Sequence, residues 1–412
     1  MSSITTKTGR RTAAIAALVA TALITTACSS PDETTGSTTA DTIKVGMVTS
    51  LTGDSSADFA ASAAGAQARI DLQNEQGGVN GRKLELVTAD DQSTANGVVT
   101  AVNQLVQRDK VLGVISMSTL LFSAAPALQK AGVPVTGAGF DGPEWGQKPN
   151  TNMFSLDPID PDYPPTTIWA EFFKSIGATR IAGIGFADIP SSSGSINQIQ
   201  KGVKAAGLTA AYTNVSIPYG TTDFTATVLQ MKEAKVDGYV CSCDTKTELA
   251  LATAVKQAGL SAKGILSSGY AQATLDDAAS KATADGMYAY SYYVPYELKT
   301  AGTEAMLAAL AKSDKDFKAG TIPSYGLSSG YLAADLMIAG LEKAGTDPTG
   351  ESLISGLRTV TSYDADGVLP APISFAADQF GKSLSAPCNY FVQLKGDAFV
   401  AQPKICGTLV GS

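Results

Sequence analysis

Several side chains that could bind a small molecule follow directly after predicted strands. Ser118 and Thr119 stand where a strand over 111–116 gives way to a helical pattern over 119–130, and the small-residue loop Gly137–Phe140 follows the next strand. Ligands of open α/β sheets bind beyond the carboxyl ends of the strands, where helix N-termini offer unpaired N–H groups. The two hydroxyls could donate to an anion or cap the helix, and the loop could admit a ligand or form a plain turn.

These positions come without a recognisable catalytic apparatus. The chain has no histidine, which excludes Ser-His-Asp and Cys-His nucleophile pairs and HExxH zinc sites. The third glycine of GxGxxG is missing after Gly183 and Gly185, and a GxSxG match at 326–330 stands at a helix start rather than after a strand. Neighbouring acids at 90–91 fit a solvated turn, and those at 276–277 fit a helix end. We predict no catalytic residue, no metal site and no cofactor.

Length and charge restrict the class of protein further. At roughly 150 residues per domain, the 412 residues of the chain predict two to three domains. The 38 acidic and 30 basic side chains give a formal charge of −8, whereas a nucleic-acid partner needs a basic face. We therefore expect no binding to nucleic acid.

The start of the chain has the layout of an export signal. Positive charges precede an apolar run over 13–24, which is short for a membrane span of about 20 residues. Small residues then lead to Cys28, an ending that resembles a bacterial lipobox and would make Cys28 a lipid-modified N-terminus. An ordinary signal cut near Ala27 is the alternative. The Thr-, Ser- and Gly-rich stretch 29–41 is expected to be a flexible tether, which places the protein on the outer face of the bacterial cytoplasmic membrane.

Export into an oxidising compartment makes the remaining cysteines candidates for disulfide bonds. Two apolar runs around the turn 395–397 indicate a β-hairpin, which brings Cys388 and Cys406 roughly opposite one another. We predict a disulfide bond between these two. Cys241 and Cys243 point to one side of a predicted strand, where a bridge between residues i and i+2 would be strained, so buried thiols are expected. A metal half-site at this pair finds no other thiol or imidazole to complete it.

The body of the chain alternates apolar runs with helical patterns. Strand–helix alternation covers 43–136, restarts after a proline-rich segment at 157–165 and continues to Tyr293. Two long helices are predicted near 304–312 and 325–343. This alternation predicts α/β architecture in which parallel sheets are covered by helices on both faces. We therefore expect two similar α/β halves.

Short motifs between 42 and 344 match those of a known family. The most specific is GGVNGRKLEL at 77–86, followed by two aspartates at 90–91. Further motifs are LTG at 51–53, GVPV at 132–135, DFT at 223–225 and VDG at 236–238. Together they resemble the ABC-transporter substrate-binding proteins of the branched-chain amino acid (Leu/Ile/Val-binding) type.

That resemblance implies the type I periplasmic binding protein fold, in which two doubly wound parallel-sheet lobes are joined by a three-strand hinge. The ligand would lie in the cleft between the lobes, which close by a hinge motion. The predicted segments are the lipoprotein signal peptide (1–28), the flexible tether (29–41), lobe 1 (42–156 and 293–365) and lobe 2 (157–292 and 366–412).

The resemblance also assigns ligand contacts by position. Ser118 falls on the family's carboxylate-binding serine, and the Gly137–Phe140 loop on its second carboxylate loop, which usually carries a threonine. The second lobe of the family adds an aromatic residue near 192–193 that is missing here. The predicted ligand-binding residues are Ser118, Thr119, Ala138, Gly139, Phe140, Ser193, Asp244 and Tyr270.

The chain departs from the family at the acid that would hold the ligand's ammonium group. That acid should lie near 268–270, where this sequence has Gly269 and Tyr270. Asp244, at the end of another strand, is the nearest substitute. Because a buried ammonium group without an acceptor is costly, the ligand could instead be a carboxylate or amide. Its apolar or aromatic body would then be lined by Tyr270, Phe140 and Trp145.

These patterns predict a monomeric extracytoplasmic lipoprotein that is not an enzyme. It would capture a small organic solute and hand it to the permease and ATPase subunits of an ABC importer. A ligand-sensing lipoprotein of the same fold without transport is one alternative. A carboxylate-based glycoside hydrolase is another; it needs two acids roughly 5–10 Å apart across a cleft, and the sequence singles out no such pair.

Overall fold

The computed structural model describes residues 42–139, 142–156, 165–382 and 387–411. The predicted signal peptide, the lipidation site Cys28, the tether and Phe140 lie outside the described residues. Within these ranges, no helix is both long enough and apolar enough to cross a membrane.

The first sheet is parallel throughout. Its strands are β1 (Ile43–Thr49), β2 (Leu84–Asp90), β3 (Val114–Met117), β4 (Val135–Gly137) and β5 (Met153–Ser155). They are arranged in the order β2-β1-β3-β4-β5. Thr49 of β1 lies opposite Met117 of β3, and Ser116 of β3 lies opposite Gly137 of β4. The loops that follow β1, β3 and β4 therefore leave the sheet at the same edge.

The second sheet is mixed. Its strands are β6 (Arg180–Phe186), β7 (Thr209–Ile217), β8 (Gly238–Ser242), β9 (Lys263–Leu266), β10 (Tyr288–Ser291), β11 (Cys388–Lys395), β12 (Ala398–Ala401) and β13 (Ile405–Cys406). Their order is β12-β11-β10-β9-β8-β6-β7, and β13 pairs with β11. The strands β6 to β10 pair in parallel, and the predicted hairpin β11–β12 is added to β10 in antiparallel orientation.

Helices surround both sheets, which confirms the predicted α/β architecture of two doubly wound lobes. The helices are α1 (Ser56–Phe59), α2 (Ser62–Glu75), α3 (Ala95–Asn103), α4 (Ala125–Lys130), α5 (Ile168–Ser175), α6 (Pro190–Ala205), α7 (Thr225–Glu233), α8 (Thr245–Gln257), α9 (Gln272–Asp276), α10 (Ala278–Ala284), α11 (Ala301–Ser313), α12 (Tyr325–Lys343) and α13 (Gly350–Arg358). Side-chain caps start many of them; Asp277, of the predicted helix-end pair, accepts the amide of Ser280 at the start of α10.

The long helix α12 joins the first sheet although it follows strands β6 to β10 of the second sheet in the chain. It packs on α2, β3 and β4, and glycines allow the two helices to approach closely. A Cβ atom at Gly65 would stand 2.0 Å from the carbonyl oxygen of Leu327, and one at Gly330 would stand 2.1 Å from that of Ser62. Lobe 1 is therefore assembled from two separate stretches of chain.

The segments that run between the lobes pair with each other. Val294 donates its amide to Val368 (2.7 Å), and Tyr363 and Ile373 exchange two backbone hydrogen bonds. The resemblance implies a first crossing near 154–160, a second near 288–295 and a third near 363–373. Residues 157–160 of the first crossing lie outside the described residues. The residue boundaries assigned to the lobes stay predictions.

The predicted helix over 119–130 is shorter than expected. A 3₁₀ turn over Leu121–Ser123 comes first, and α4 begins only at Ala125. Pro126 is the reason, because proline lacks an N–H group and is tolerated only in the first turn of a helix. Thr119 is therefore not a helix N-terminal residue but part of an irregular loop after β3. The short elements β5, α9, α10 and α13 have no counterpart in the sequence-based prediction.

Candidate functional site

A cavity of about 530 Å³ lies beyond the carboxyl ends of strands from both sheets. Its volume falls within the roughly 300–1,000 Å³ typical of small-molecule pockets. Both lobes and the crossing segments contribute walls. The lining residues used below are Asp58, Phe59, Thr119 and Tyr325 from lobe 1, Tyr219, Cys243, Asp244, Ser267 and Ser268 from lobe 2, and Phe154, Arg358, Phe375 and Phe380 near the crossings.

Asp58 reaches this cavity from α1, in the loop region that follows β1. Its Oδ1 accepts a hydrogen bond from the hydroxyl of Thr245 at 3.0 Å. Thr245 is the first residue of α8, on the opposite lobe. The contact therefore connects the two lobes across the cleft.

Asp244 caps the same helix. Its Oδ1 accepts the amide of Thr247 at 2.9 Å, and its Oδ2 accepts the hydroxyl of Thr247 at 2.8 Å. A carboxylate has about four lone-pair sites, so the cap leaves acceptor capacity for a ligand. Asp244 lines the cavity, as the sequence predicted for this strand end.

Asp58 and Asp244 together form an acid pair without a counter-charge. Neither forms an ion pair with a lysine or arginine among the residues that the structure describes. Burial, and after it the negative charge of Asp244, raise the pKa of Asp58 to about 6, although hydrogen bonds from Thr245 act in the opposite direction. A ligand cation placed here would stabilise the charged form of Asp58.

A third carboxyl group, that of Glu248, lies behind the loop after β9 that lines the cavity. It is buried, and its two oxygens accept the amides of Ser267 (2.5 Å) and Ser268 (3.3 Å), in the loop after β9. Burial raises the pKa of Glu248 well above its usual range. This is the loop in which the resemblance placed an acid that contacts the ligand. Here the acid stands behind the loop and holds it, and the serines line the cavity.

The acids at 90–91 support the loop that precedes α1. Asp90 accepts the amides of Leu51 and Thr52 and the hydroxyl of Thr52 through its two carboxylate oxygens. These hydrogen bonds lower the pKa of Asp90. Ser93 adds a bond from its hydroxyl to the carbonyl of Thr52 at 2.9 Å. These hydrogen bonds connect the loop that leads to Asp58 with the loop after β2. Asp90 therefore stabilises the position of this loop, whereas the sequence predicted only a solvated turn.

The lobes also touch at a second place beside the cavity. The hydroxyls of Ser55, in the loop before α1, and Tyr219, after β7, lie 3.1 Å apart. With the contact between Asp58 and Thr245, this gives two polar contacts between opposite lobes. In the structure, the two lobes are therefore in contact beside the cavity.

Among the predicted ligand residues, Thr119 and Asp244 line the cavity. Ser118 is 1% exposed and accepts the amide of Leu120 at 3.3 Å. Ser193 donates its hydroxyl to the carbonyl of Pro190 in the first turn of α6, and the neighbouring Ser192 lines the cavity instead. The roles of Ser118 and Ser193 in binding stay predictions.

The loop after β4 is only partly described. Ala138 is 1% exposed, and Gly139 adopts a φ of 69°, in the region that favours glycine. Phe140 lies outside the described residues. Trp145 lines the cavity, as predicted for an aromatic wall.

Tyr270 lies in a different environment from the one expected. Its hydroxyl donates to Glu297 at 2.5 Å and accepts the amide of Tyr296 at 3.0 Å. Its ring packs against those of Tyr293, Tyr296 and Phe399. Because these partners belong to the second crossing and to β12, the structure places Tyr270 in an aromatic cluster and not among the cavity-lining residues.

Both cysteine pairs are bridged. Cys388 and Cys406 face each other across β11 and β13 and form the predicted disulfide bond. The expectation of buried thiols at Cys241 and Cys243 is corrected, because the structure joins them as well. Strand β8 ends between them, and their Cα atoms are 5.2 Å apart, closer than the about 6.6 Å of an extended strand. Such a separation suits a disulfide bond, and Cys243 lines the cavity.

Several lining residues were missed by the sequence analysis. Asp58, Tyr219 and Tyr292 each follow a strand, so the strand-end argument that selected Ser118 could have selected them too. Arg358 had no comparable signal, because it ends a helix that is remote in sequence from every strand of the first sheet.

The model of the periplasmic binding protein family matches residues 42–398. A curated relative, an amino acid binding protein from Pseudomonas aeruginosa, is 32% identical over 92 residues, which are 22% of this chain and 24% of that protein. The match thus spans about a quarter of that relative's length.

Solved structures share the fold. The branched-chain amino acid transporter substrate binding protein LivJ from Streptococcus pneumoniae, in complex with isoleucine, is 18% identical with a TM-score of 0.70, over 90% of this chain and 99% of that one. A solute binding protein of an ABC transporter from R. palustris, in complex with benzoate, is 17% identical with a TM-score of 0.71, again over 90% and 99%. These likenesses confirm the predicted two-lobe architecture.

Proposed function

The chain belongs to the periplasmic binding protein family, and we propose that it captures a small organic solute that carries an amino group and delivers it to an ABC importer. The cavity between the lobes is the binding site. The observation that carries the ligand class is the acid pair of Asp58 and Asp244 in this cavity, without a cation from the described part of the chain.

The acid pair supplies what the loop after β9 lacks. The positive charge of an ammonium group between α1 and α8 would compensate the negative charge of both carboxylates, and its N–H groups would donate to their remaining lone pairs. Hydrogen bonds to charged groups contribute about 1.5–3 kcal/mol each. The relative from Pseudomonas aeruginosa is an amino acid binding protein, which supports a ligand with an amino group.

The same pair bears on the hydrolase alternative. A glycoside hydrolase also needs two acids across a cleft, and Asp58 and Asp244 line the same cavity. The family match supports a binding protein instead. The contacts of Ser55 with Tyr219 and of Asp58 with Thr245 support closure of the lobes around the ligand.

The remaining parts of the proposal rest on the sequence. Cys28 would anchor the exported protein by lipid, and permease and ATPase subunits would receive the ligand from a monomeric binding protein.

The sensing alternative, a ligand-binding lipoprotein without transport, differs in its consequence for the cell. Deletion of the gene should abolish uptake of the radiolabelled ligand if the protein serves transport, whereas unchanged uptake would favour sensing.

Matched ligands test the amino group. Calorimetric titrations would compare leucine with 4-methylpentanoate, and phenylalanine with 3-phenylpropanoate, since each pair differs only in the amine. We expect the amino acids to bind more tightly to the wild-type protein, and Asp58→Asn to weaken them about tenfold or more (about 1.4 kcal/mol). The amine-free acids should be unaffected.

The control is Asp397→Asn, which removes an exposed acid of the β11–β12 turn that pairs with Lys281. It should leave every affinity unchanged. Tighter binding of the amine-free acids, or equal loss with both aspartate variants, would contradict the role of the acid pair.

A further inference from the structure

A second charged side chain lines the same cavity. Arg358 is the last residue of α13, and its guanidinium lies over the ring of Phe154, with 4.2 Å from Cζ to the ring centroid. The ring of Phe380 lies at 5.0 Å from the same atom. Both phenylalanines line the cavity as well. The cation is thus flanked by two aromatic rings, an arrangement that stabilises a guanidinium and limits its freedom to turn.

The polar contacts of Arg358 leave N–H groups for a further partner. Nη1 donates to the carbonyl of Phe375 at 3.1 Å, and Nη2 donates to the carbonyl of Thr151 at 2.5 Å. A guanidinium has more N–H groups than these two bonds use. Among the described residues, no carboxylate forms an ion pair with Arg358.

The burial of Arg358 affects its pKa. Burial lowers the pKa of Arg358 to about 10, and within the described part of the chain no acid forms an ion pair that would compensate for it. A partly buried guanidinium without an anion is costly, and a carboxylate is the group that its planar, paired N–H groups fit. The charge balance at this wall of the cavity would therefore improve when an anion binds.

Arg358 also has a structural explanation. A basic residue in the last turn of α13 compensates the helix dipole, and its two bonds connect the segment before β5 with the third crossing. This bracing role accounts for the carbonyl contacts. It does not account for the position of the side chain in the cavity lining.

The immediate surroundings of Arg358 are aromatic, because the rings of Phe154 and Phe380 flank its guanidinium and Phe375 accepts one of its hydrogen bonds. Asp58 and Asp244 are held by α1 and α8, whereas Arg358 is held by α13, β5 and the third crossing. Phe154, Phe375 and Phe380 line the cavity at this end, and Trp145, Trp169 and Tyr290 are further aromatic residues of the same lining.

We propose that Arg358 binds the carboxylate of a solute whose amino group lies at the acid pair, so that the ligand is an elongated amino carboxylate with an apolar middle along these rings. The amino end of this ligand rests on the proposed function; the carboxylate end rests on Arg358 alone. An α-amino acid carries both charges on one carbon. It would therefore contact only one of the two sites fully, either the acid pair or Arg358.

Three ligands of equal chain length separate the two ends. The ligand 8-aminooctanoate carries both charges, octylamine carries only the ammonium group and octanoate carries only the carboxylate. Their affinities would be measured by calorimetry for the full-length wild-type protein and for Arg358→Met. Arg180→Met is the matched control, because Arg180 also donates to a backbone carbonyl, that of Ala234, but does not line the cavity.

We expect Arg358→Met to weaken 8-aminooctanoate and octanoate at least tenfold and octylamine less than twofold, while Arg180→Met changes none of them. Equal losses for octylamine would show that Arg358 only braces the fold, and this would overturn the proposal. Unchanged affinity for the carboxylates would do so too, as would failure of the wild-type protein to bind either carboxylate.

Two further variants keep the test decisive. Arg358→Lys preserves the charge without the planar fork and should retain part of the carboxylate preference, which matters if Arg358→Met lowers the melting temperature. Asp58→Asn reports on the proposed function separately. A selective loss of carboxylates with Arg358→Met and no effect of Asp58→Asn would reject the amino end and leave the carboxylate site standing.

Discussion

Asp58 was not selected from the sequence, because the search for an ammonium partner concentrated on the loop after β9. In the structure that loop presents serines, and its buried acid Glu248 accepts their amides. The acid that lines the cavity together with Asp244 is Asp58, which comes from the other lobe. Its pKa is raised first by burial and then by the negative charge of Asp244 across the cleft, and local sequence contains neither of these causes.

The raised pKa makes the stability of the ligand-free protein depend on pH at this residue. The pKa of Asp58 rises from 3.8 to about 6, so the fold favours the neutral acid. Below about pH 4 the group is neutral in both the folded and the unfolded state and costs nothing. Between about pH 4 and pH 6 the group ionises in the unfolded state but not yet in the folded state, so stability falls as the pH rises, and above about pH 6 the full penalty remains.

We therefore predict that Asp58→Asn stabilises the ligand-free protein at pH 7.5 and not at pH 4. About two pKa units correspond to at most about 3 kcal/mol, and about 1–2 kcal/mol is expected for this partly exposed group. Thermal melts at both pH values measure the effect, with Asp397→Asn as the exposed control. Identical melting of wild type and Asp58→Asn at pH 7.5 would show that the contact between α1 and α8 is broken in solution.

At the scale of elements, the packing of α12 against α2 determines how lobe 1 is assembled. The contact depends on glycine, since a Cβ atom at Gly65 would meet the carbonyl carbon and oxygen of Leu327. Backbone atoms cannot move aside as a side chain can. The two halves of lobe 1 would have to separate to admit a methyl group.

Gly65→Ala should therefore destabilise the protein by about 1–3 kcal/mol, the usual cost of overpacking, as measured by chemical denaturation. Gly194→Ala is the matched control, because it adds the same methyl group to α6, where nothing lies within 4 Å. There the change should stabilise the protein by about 0.5–1 kcal/mol through helix propensity. Equal effects of the two substitutions would contradict the steric explanation.

At the scale of the whole molecule, the lobes enclose a cavity with an acid pair on one wall and, on another, a guanidinium that has no ion-pair partner among the described residues. The distribution of charge suits a ligand with opposite charges at its ends. Two polar contacts, from Ser55 and Asp58, join the lobes across the cleft, and under the proposed function a ligand between the lobes would stabilise this arrangement. The affinity for such a ligand then includes the free energy of bringing the lobes together.

Membrane attachment belongs to this scale as well, because a tethered binding protein stays close to its transporter. We predict that Cys28→Ser moves the protein from the membrane fraction to the soluble fraction of cells, since it removes the residue that would carry the lipid anchor. Fractionation followed by immunoblotting measures this. Equal partition of wild type and variant would favour an ordinary signal cut near Ala27.

The sequence by itself determined the two α/β lobes, most strand positions and the hairpin with Cys388 and Cys406, because these follow from local periodicity and from motifs such as GGVNGRKLEL. It also placed Thr119 and Asp244 at strand ends, where ligand sites form in open sheets. Tertiary structure alone decided which remote residues meet: Asp58 with Thr245, beside Asp244, across the cleft, and Arg358 with the rings of Phe154 and Phe380. The physical reason is that burial and charge proximity depend on distances between segments far apart in the chain, which no local pattern encodes.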